Sequence, residues 1–181
     1  MKKLLFLILL LAGGALAFFG LFKVPTDSVY VLDSKFRGKK MALPNEWVFY
    51  PESVVPGIFQ LKKFPAEVRF YHKKDFDFPY SRVIDYFRSF KIEVFFKVHF
   101  EVGFSVEYLF HEKNIAVLYE KNDVEALKKE IILKVEDMIS SIISQNLNNP
   151  EFSKDALLDT LKKESDTLGF KIHFTIISFP L

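Results

Sequence analysis

The chain has 181 residues, half of them hydrophobic and 22 of them Phe, and a formal net charge of +2. A chain this apolar can bury a core, which excludes disorder, and its length allows one ordinary domain plus a short targeting element. With no cysteine, disulfides, thiolate nucleophiles, Cys-ligated zinc, iron–sulfur clusters and an acylated lipoprotein cysteine are excluded. Lys2 and Lys3 are the only charges before Lys23; the remainder balances at 23 basic and 23 acidic residues, so no basic excess points to nucleic acid.

Residues 4–22 form an uncharged run behind Lys2-Lys3. Two readings compete. A helix of about 20 apolar residues spans a bilayer core, which makes 1–23 a transmembrane anchor. Alternatively Ala15-Leu16-Ala17 fits a signal-peptidase site. The run continues through Phe18, Phe19, Leu21 and Phe22, which favours the anchor. Both readings put 24–181 outside the cytoplasm, in the periplasm. Lys23, Lys35, Arg37, Lys39 and Lys40 weaken the orientation argument, because positive charge close to a span sets its direction.

Val24-Pro25-Thr26-Asp27 reads as a linker and 28–33 (SVYVLD) as a strand. Pro44, Pro51 and Pro56 make 41–57 a loop with short edge pieces, because proline cannot donate to a central ladder. Residues 58–62 and 66–72 are predicted strands either side of Pro65. Asp75-Phe76-Asp77-Phe78-Pro79 reads as a loop, and 81–87 is ambiguous.

Between 91 and 104 the apolar side chains fall on every second residue, from Ile92 to Phe104, with Lys91, Glu93, Lys97, His99 and Glu101 opposite. That period predicts a long strand with one buried and one wet face. Phe96, Phe100 and Phe104 are read as core. From 123 to 147 the spacing changes to three and four (Val124, Leu127, Ile131, Val135, Met138, Ile139, Ile142, Ile143), predicting an amphipathic helix capped by Asn122 or Asp123. A second helix is predicted from 150 or 153 to 168, stopped by Gly169, before a last strand over 170–176. The expected fold class is α+β: a mainly antiparallel sheet with helices packed on it.

No catalytic signature emerges. His72, His99, His111 and His173 form no ligand pair at metal-binding spacing. His99 and His173 share the wet side of predicted strands and would meet only if those strands are neighbours. Asp75 and Asp77 flank Phe76 without the further acids and Gly of a calcium loop. No phosphate-binding Gly loop or Gly-x-Ser-x-Gly elbow is present. The expectation is no enzyme, no cofactor and no metal. Lys39 and Lys40 are candidates for lipid headgroup contact, and Trp47, Phe49 and Tyr50 for a membrane interface, where amphipathic rings are enriched. The wet face of 123–147 carries Glu125, Lys128, Lys129, Glu130, Lys134, Glu136 and Asp137; its mixed signs suit solvent or a neighbouring subunit.

The order of these elements, with Val24-Pro25, Pro56-Gly57, the acidic loop, the long alternating strand, the helices and the ending 169–180 (GFKIHFTIISFP), resembles the SPFH (Band 7) group of stomatin, prohibitin and flotillin over residues 24–181. The resemblance implies one SPFH-like domain in a membrane-bound scaffold. Such proteins assemble side by side into rings or cages that organise membrane or enclose partner proteins. Partners would be membrane lipid, like or related subunits, and a membrane protein client. Glu125, Lys128, Glu130, Lys134 and Asp137 would then carry subunit contacts. The group usually continues into a coiled coil, whereas this sequence stops at Leu181. A short protein of this layout also resembles stomatin-like accessories of the flagellar stator, and the cleaved alternative gives a periplasmic binding module.

Overall fold

The computed structural model of the chain describes Ile8, Leu11, Gly14 and residues 20–51, 57–86, 90–110 and 123–180. Strand is the main content: eight strands against two α-helices among the described residues. This overturns the α+β expectation. The excess lies where Pro and acidic residues read as loop. The 41–57 stretch carries only short strand pieces, as expected, whereas the acidic loop and the ambiguous 81–87 segment are mostly one unbroken strand.

The membrane-anchor expectation is also overturned. Among the described residues no helix is long and apolar enough to cross a membrane. Leu21 and Phe22, which the apolar run assigned to a spanning helix, instead lie in a strand, β1 (Leu21–Lys23). Most of residues 1–19, including the Ala15-Leu16-Ala17 site, lies outside the described residues. The single-pass placement with a periplasmic 24–181 therefore has no support.

The chain divides into two compact units. The first comprises Met1–Val68 and Leu109–Val124. In it β1 pairs antiparallel with β4 (Trp47–Phe49), matching Leu21 with Phe49, Phe22 with Val48 and Lys23 with Trp47. A second sheet has β2 (Ser28–Ser34) between β3 (Gly38–Ala42) and β5 (Phe59–Pro65), antiparallel to both. Pro44 does not abolish structure here. It opens a turn in which Asn45 takes φ 66° and Glu46 Oε2 accepts from Leu43 N at 2.9 Å; Asn tolerates that left-handed backbone. The turn delivers Trp47 into β4. Val24, Leu32, Ala42, Val48 and Tyr50 form the buried cluster, with Phe22, Tyr30 and Phe59 packed against it.

The second unit comprises Arg69–Tyr108 and Glu125–Leu181. Its sheet follows the order β6 (Glu67–Tyr86), β7 (Phe90–Leu109), β8 (Lys171–Ser178). Two helices, α1 (Val124–Asn146) and α2 (Lys154–Ser165), precede β8. The sequence places both within a few residues. Ser153 caps α2, its hydroxyl accepting from Ala156 N. A short 3-10 turn then ends at Gly169 with φ 77°, a left-handed backbone that favours glycine. Leu127, Ile131, Val135, Ile139, Ile142 and Ile143 of α1 are buried, as are Leu157 and Leu161 of α2.

The even-numbered side chains of β7 supply the opposing surface. Val98, Phe100, Val102, Phe104, Val106 and Tyr108 are all buried. Phe100 packs against the rings of Phe152 and Phe179, and Phe104 against Phe174.

Gly20 fixes how closely β1 lies on β4. Tyr50 N donates to Gly20 O at 2.7 Å, and a Cβ on Gly20 would stand 2.7 Å from Pro51 Cα and 2.9 Å from Pro51 N. Those are backbone atoms that cannot swing aside. Gly20→Ala should destabilise the first unit by about 1–3 kcal/mol, read as a lower midpoint in denaturant with unchanged slope.

Candidate functional site

The alternation of β7 does not stop where its cover stops. β8 pairs with β7 only from Glu101 to Glu107. From Phe90 to Lys97 every residue of β7 is exposed. The expectation that one face of 91–104 is buried throughout is therefore corrected: Ile92, Val94 and Phe96 are bare, and only Val98 onwards is covered. Phe100 and Phe104 are fully buried core as expected, while Phe96 is 43% exposed.

The bare segment spans about 26 Å at a strand's rise per residue. Its neighbour in the sheet is β6. The Tyr80 ring meets Phe96 edge-on at 5.0 Å, so the even positions of both strands share a face. Ile84 joins Phe90, Ile92, Val94 and Phe96 there. On the opposite face Val83 and Phe95 are exposed too. Phe90 and Phe95 are 72% and 73% exposed. The result is a two-stranded ribbon with large apolar side chains on both faces. An isolated ribbon of two strands is marginal in water, and an apolar surface of this extent marks an interaction site.

Arg82, Lys91 and Lys97 lie on the same segment with Asp85 and Glu93. None of these five takes part in an ion pair among the described residues.

A groove of about 670 Å³ lies in the first unit, lined by Thr26, Asp27, Pro44, Ala66, Glu67, Leu109 and Phe110. Backbone bonds build it: Ala66 N donates to Asp27 O (2.8 Å) and Phe110 N to Ala66 O (3.1 Å). Pro44, Ala66, Leu109 and Phe110 make its lining mostly apolar, and its two ionisable groups are carboxylates. The Ser28 hydroxyl donates to Asp27 Oδ1 at 2.8 Å. That bond, helped by the Lys63 charge, holds the Asp27 carboxyl below its ordinary range.

The residues singled out from the sequence fall in several places. Asp75 and Asp77 lie within β6, not in a loop; Pro79 is tolerated because β6 is an edge strand. His99 Nδ1 lies 2.8 Å from Asp77 Oδ1, and its Nε2 lies 3.8 Å from Asp75 Oδ1. All three are well exposed, so the group contributes little stability. His173 does not meet His99: it stands opposite Ser105, six residues along β7 and about 20 Å away. Among the described residues no three metal-ligating side chains converge. His111 lies outside the described residues.

Along α1, Lys128 pairs with Glu125 (2.6 Å) and Lys134 with Glu130 (2.8 Å). Asp137 is exposed. Glu136, read with the wet face, turns to the sheet instead. Only 14% of its side chain is exposed, and it faces His72 Nε2 (2.8 Å) and Lys74 Nζ (3.3 Å) of β6. Trp47 and Phe49 project from β4 into solvent, whereas Tyr50 is buried with the Arg37 guanidinium 5.5 Å above its ring. Lys39 and Lys40 reach Asp33 (4.0 Å) and Glu46 (3.6 Å).

The exposed ribbon end was missed by sequence reasoning because period two marks an amphipathic strand whether or not anything covers it. The length mismatch carried the available signal: the alternation runs longer than the short final strand that can flank it.

No family model matches this chain, and comparison with curated proteins gives no match. The resemblance to the SPFH group gains no support from them.

Two tests follow from these contacts. Removing the Glu136 carboxylate strands His72 and Lys74, so Glu136→Ala should cost about 1–2 kcal/mol of stability, against less than about 0.5 kcal/mol for Lys134→Ala on the exposed face; urea melts compare them. Asp27 has its folded pKa depressed. Its contribution is therefore present above the unfolded value, about 3.9, and is lost as pH falls through the folded value. Thermal midpoints from pH 7 down to pH 2 should show Asp27→Asn less stable than the wild type at neutral pH, with the gap closing in acid.

Proposed function

We propose that this chain is a non-enzymatic assembly subunit that associates with copies of itself through the bare end of the β6–β7 ribbon. The observation that supports this is the apolar surface of Ile84, Phe90, Ile92, Val94, Phe95 and Phe96, all exposed on a segment that continues a core strand. A fully buried aromatic side chain covers roughly 150–250 Å². Two Phe at nearly three-quarters exposure, with the neighbouring Ile, Val and Phe, leave several hundred Å² per copy. Two partners contributing surfaces of that size approach the roughly 1,200 Å² at which specific interfaces begin.

The mechanism keeps side-by-side association and moves its contacts. The charges of α1 are satisfied largely along the helix, and surface pairs of that kind contribute little. The ribbon offers the aromatic anchors that dominate interface energetics.

Light scattering coupled to size-exclusion chromatography tests this on the full chain. The wild type should run above the monomer mass and dissociate on dilution. An Ile92→Asp/Phe95→Asp variant, altered only at exposed positions, should be monomeric with an unchanged thermal midpoint. A wild type that stays monomeric at hundreds of micromolar would sink the proposal.

A further inference from the structure

We infer that the association is a closed two-fold dimer. The even-numbered face of one ribbon end lies on the same face of a second copy, and the odd-numbered face stays in solvent. This rests on the self-association reading above and adds to it the face and the symmetry.

The two faces of the ribbon are chemically different. Along β6 and β7 even positions meet even ones: the rings of His72 and Phe104, Phe78 and Phe100, and Tyr80 and Phe96 have centroids 5.3, 6.0 and 5.0 Å apart. Odd positions meet odd ones, as His99 with Asp77 and Arg69 with Glu107. On the bare segment the even face therefore holds Ile84, Phe90, Ile92, Val94 and Phe96 with a single charge, Arg82. The odd face holds Val83 and Phe95 among Asp85, Lys91, Glu93 and Lys97.

Desolvation decides between them. Interface cores are depleted of charge, because an ion taken out of water without a partner is costly. Covering the odd face would strand two cations and two carboxylates that take part in no ion pair among the described residues. Those four sum to zero charge, and a mixed, hydrated surface of that kind suits solvent. Covering the even face involves Arg82 alone. It stands on an edge strand, where its aliphatic stem can lie along the apolar surface while the guanidinium reaches water.

Continuity and area choose the occupant. The even face of the ribbon end is the outward run of the strip that is buried from Val98 to Tyr108. There a second layer rests on the sheet, and short of Val98 the strip is bare. The ribbon of a second copy supplies that layer, since sheets pack face to face at about 10 Å. A two-stranded ribbon alone is marginal in water, whereas four strands around one apolar layer meet the requirement for stability. Phe90 at 72% and Phe96 at 43% exposure, with Ile84, Ile92 and Val94, leave about 500 Å² per copy. Two such faces bury about 1,000 Å², the lower bound for a specific interface. Both copies use the same patch, so the contact is isologous and closes at two.

Sedimentation equilibrium of the full chain, with one double variant on each face, tests this. The wild type should fit a monomer–dimer equilibrium with nothing larger as concentration rises. Ile92→Asp/Val94→Asp on the even face should raise the dissociation constant at least about tenfold. Val83→Asp/Phe95→Asp on the odd face should leave it within about threefold of the wild type. Circular dichroism checks that both variants are folded; should the even-face variant melt early, Phe90→Asp at a highly exposed position replaces it.

If the odd-face variant dissociates as much as the even-face one, or more, the face assignment falls and the ribbon reading stands. Species above the dimer that grow with concentration overturn the two-fold closure and likewise leave the ribbon reading. If neither variant dissociates, or the wild type is monomeric, both fall.

Discussion

The second unit depends on one strip of side chains, the even positions of β7. From Val98 to Tyr108 that strip is the floor on which α1, α2 and the 150–153 turn rest, and removing water from it is the main favourable term in folding the unit. The same strip continues for four more side chains past its cover. The strand cannot change its pattern at Val98 without a bulge, because successive residues alternate faces by geometry. The core and the exposed ribbon are thus one periodic structure, divided only by where the helices and β8 end.

Polar contacts then decide what stays fixed. Glu136 is the anionic point where α1 reaches β6, and it faces both His72 and Lys74. Farther out on the helix, Glu125–Lys128 and Glu130–Lys134 neutralise one another one turn apart. On the other side of the sheet Lys73 pairs with Glu101 and Arg69 with Glu107. These crossings brace β6 against β7 up to the level of His99 and Asp77. Beyond it the ribbon carries charges without partners among the described residues, so what holds it there is backbone pairing and apolar contact.

The periodic elements were legible from residue order. The switch from period two to period three-and-four at 123, Ser153, and the Gly169 stop all express local chemistry, and the two helices and β8 followed from them. The acidic stretch was not legible, since it depends on where a strand sits. Pro79 is compatible with β6 only because β6 is an edge, and Asp75 and Asp77 fit a strand because one face of it meets solvent. Position within a sheet is a tertiary fact that a propensity cannot carry. The apolar run near the N-terminus failed for a related reason. Leu21 and Phe22 are as suitable for a strand as for a membrane helix, and their pairing with Phe49 and Val48 is invisible from either segment alone. At the sites the same limit applies. Phe95 stands among Lys91, Glu93 and Lys97 on the polar side of the alternation, but nothing in its spacing tells that the opposite face is wet as well.

An exposed apolar ribbon is ordinarily a hazard, because unpaired edges and bare hydrophobic faces together template open-ended stacking. Here the two are separated. The edge strand β6 is interrupted by Pro79 and studded with charge, and the outer strand β8 is followed by Phe179 and Pro180. The faces stay bare while the β6 edge is blunted. A surface of this kind favours side-chain docking over strand addition. Under the self-association proposed above, contact then runs through side chains on the ribbon faces and not through an added strand.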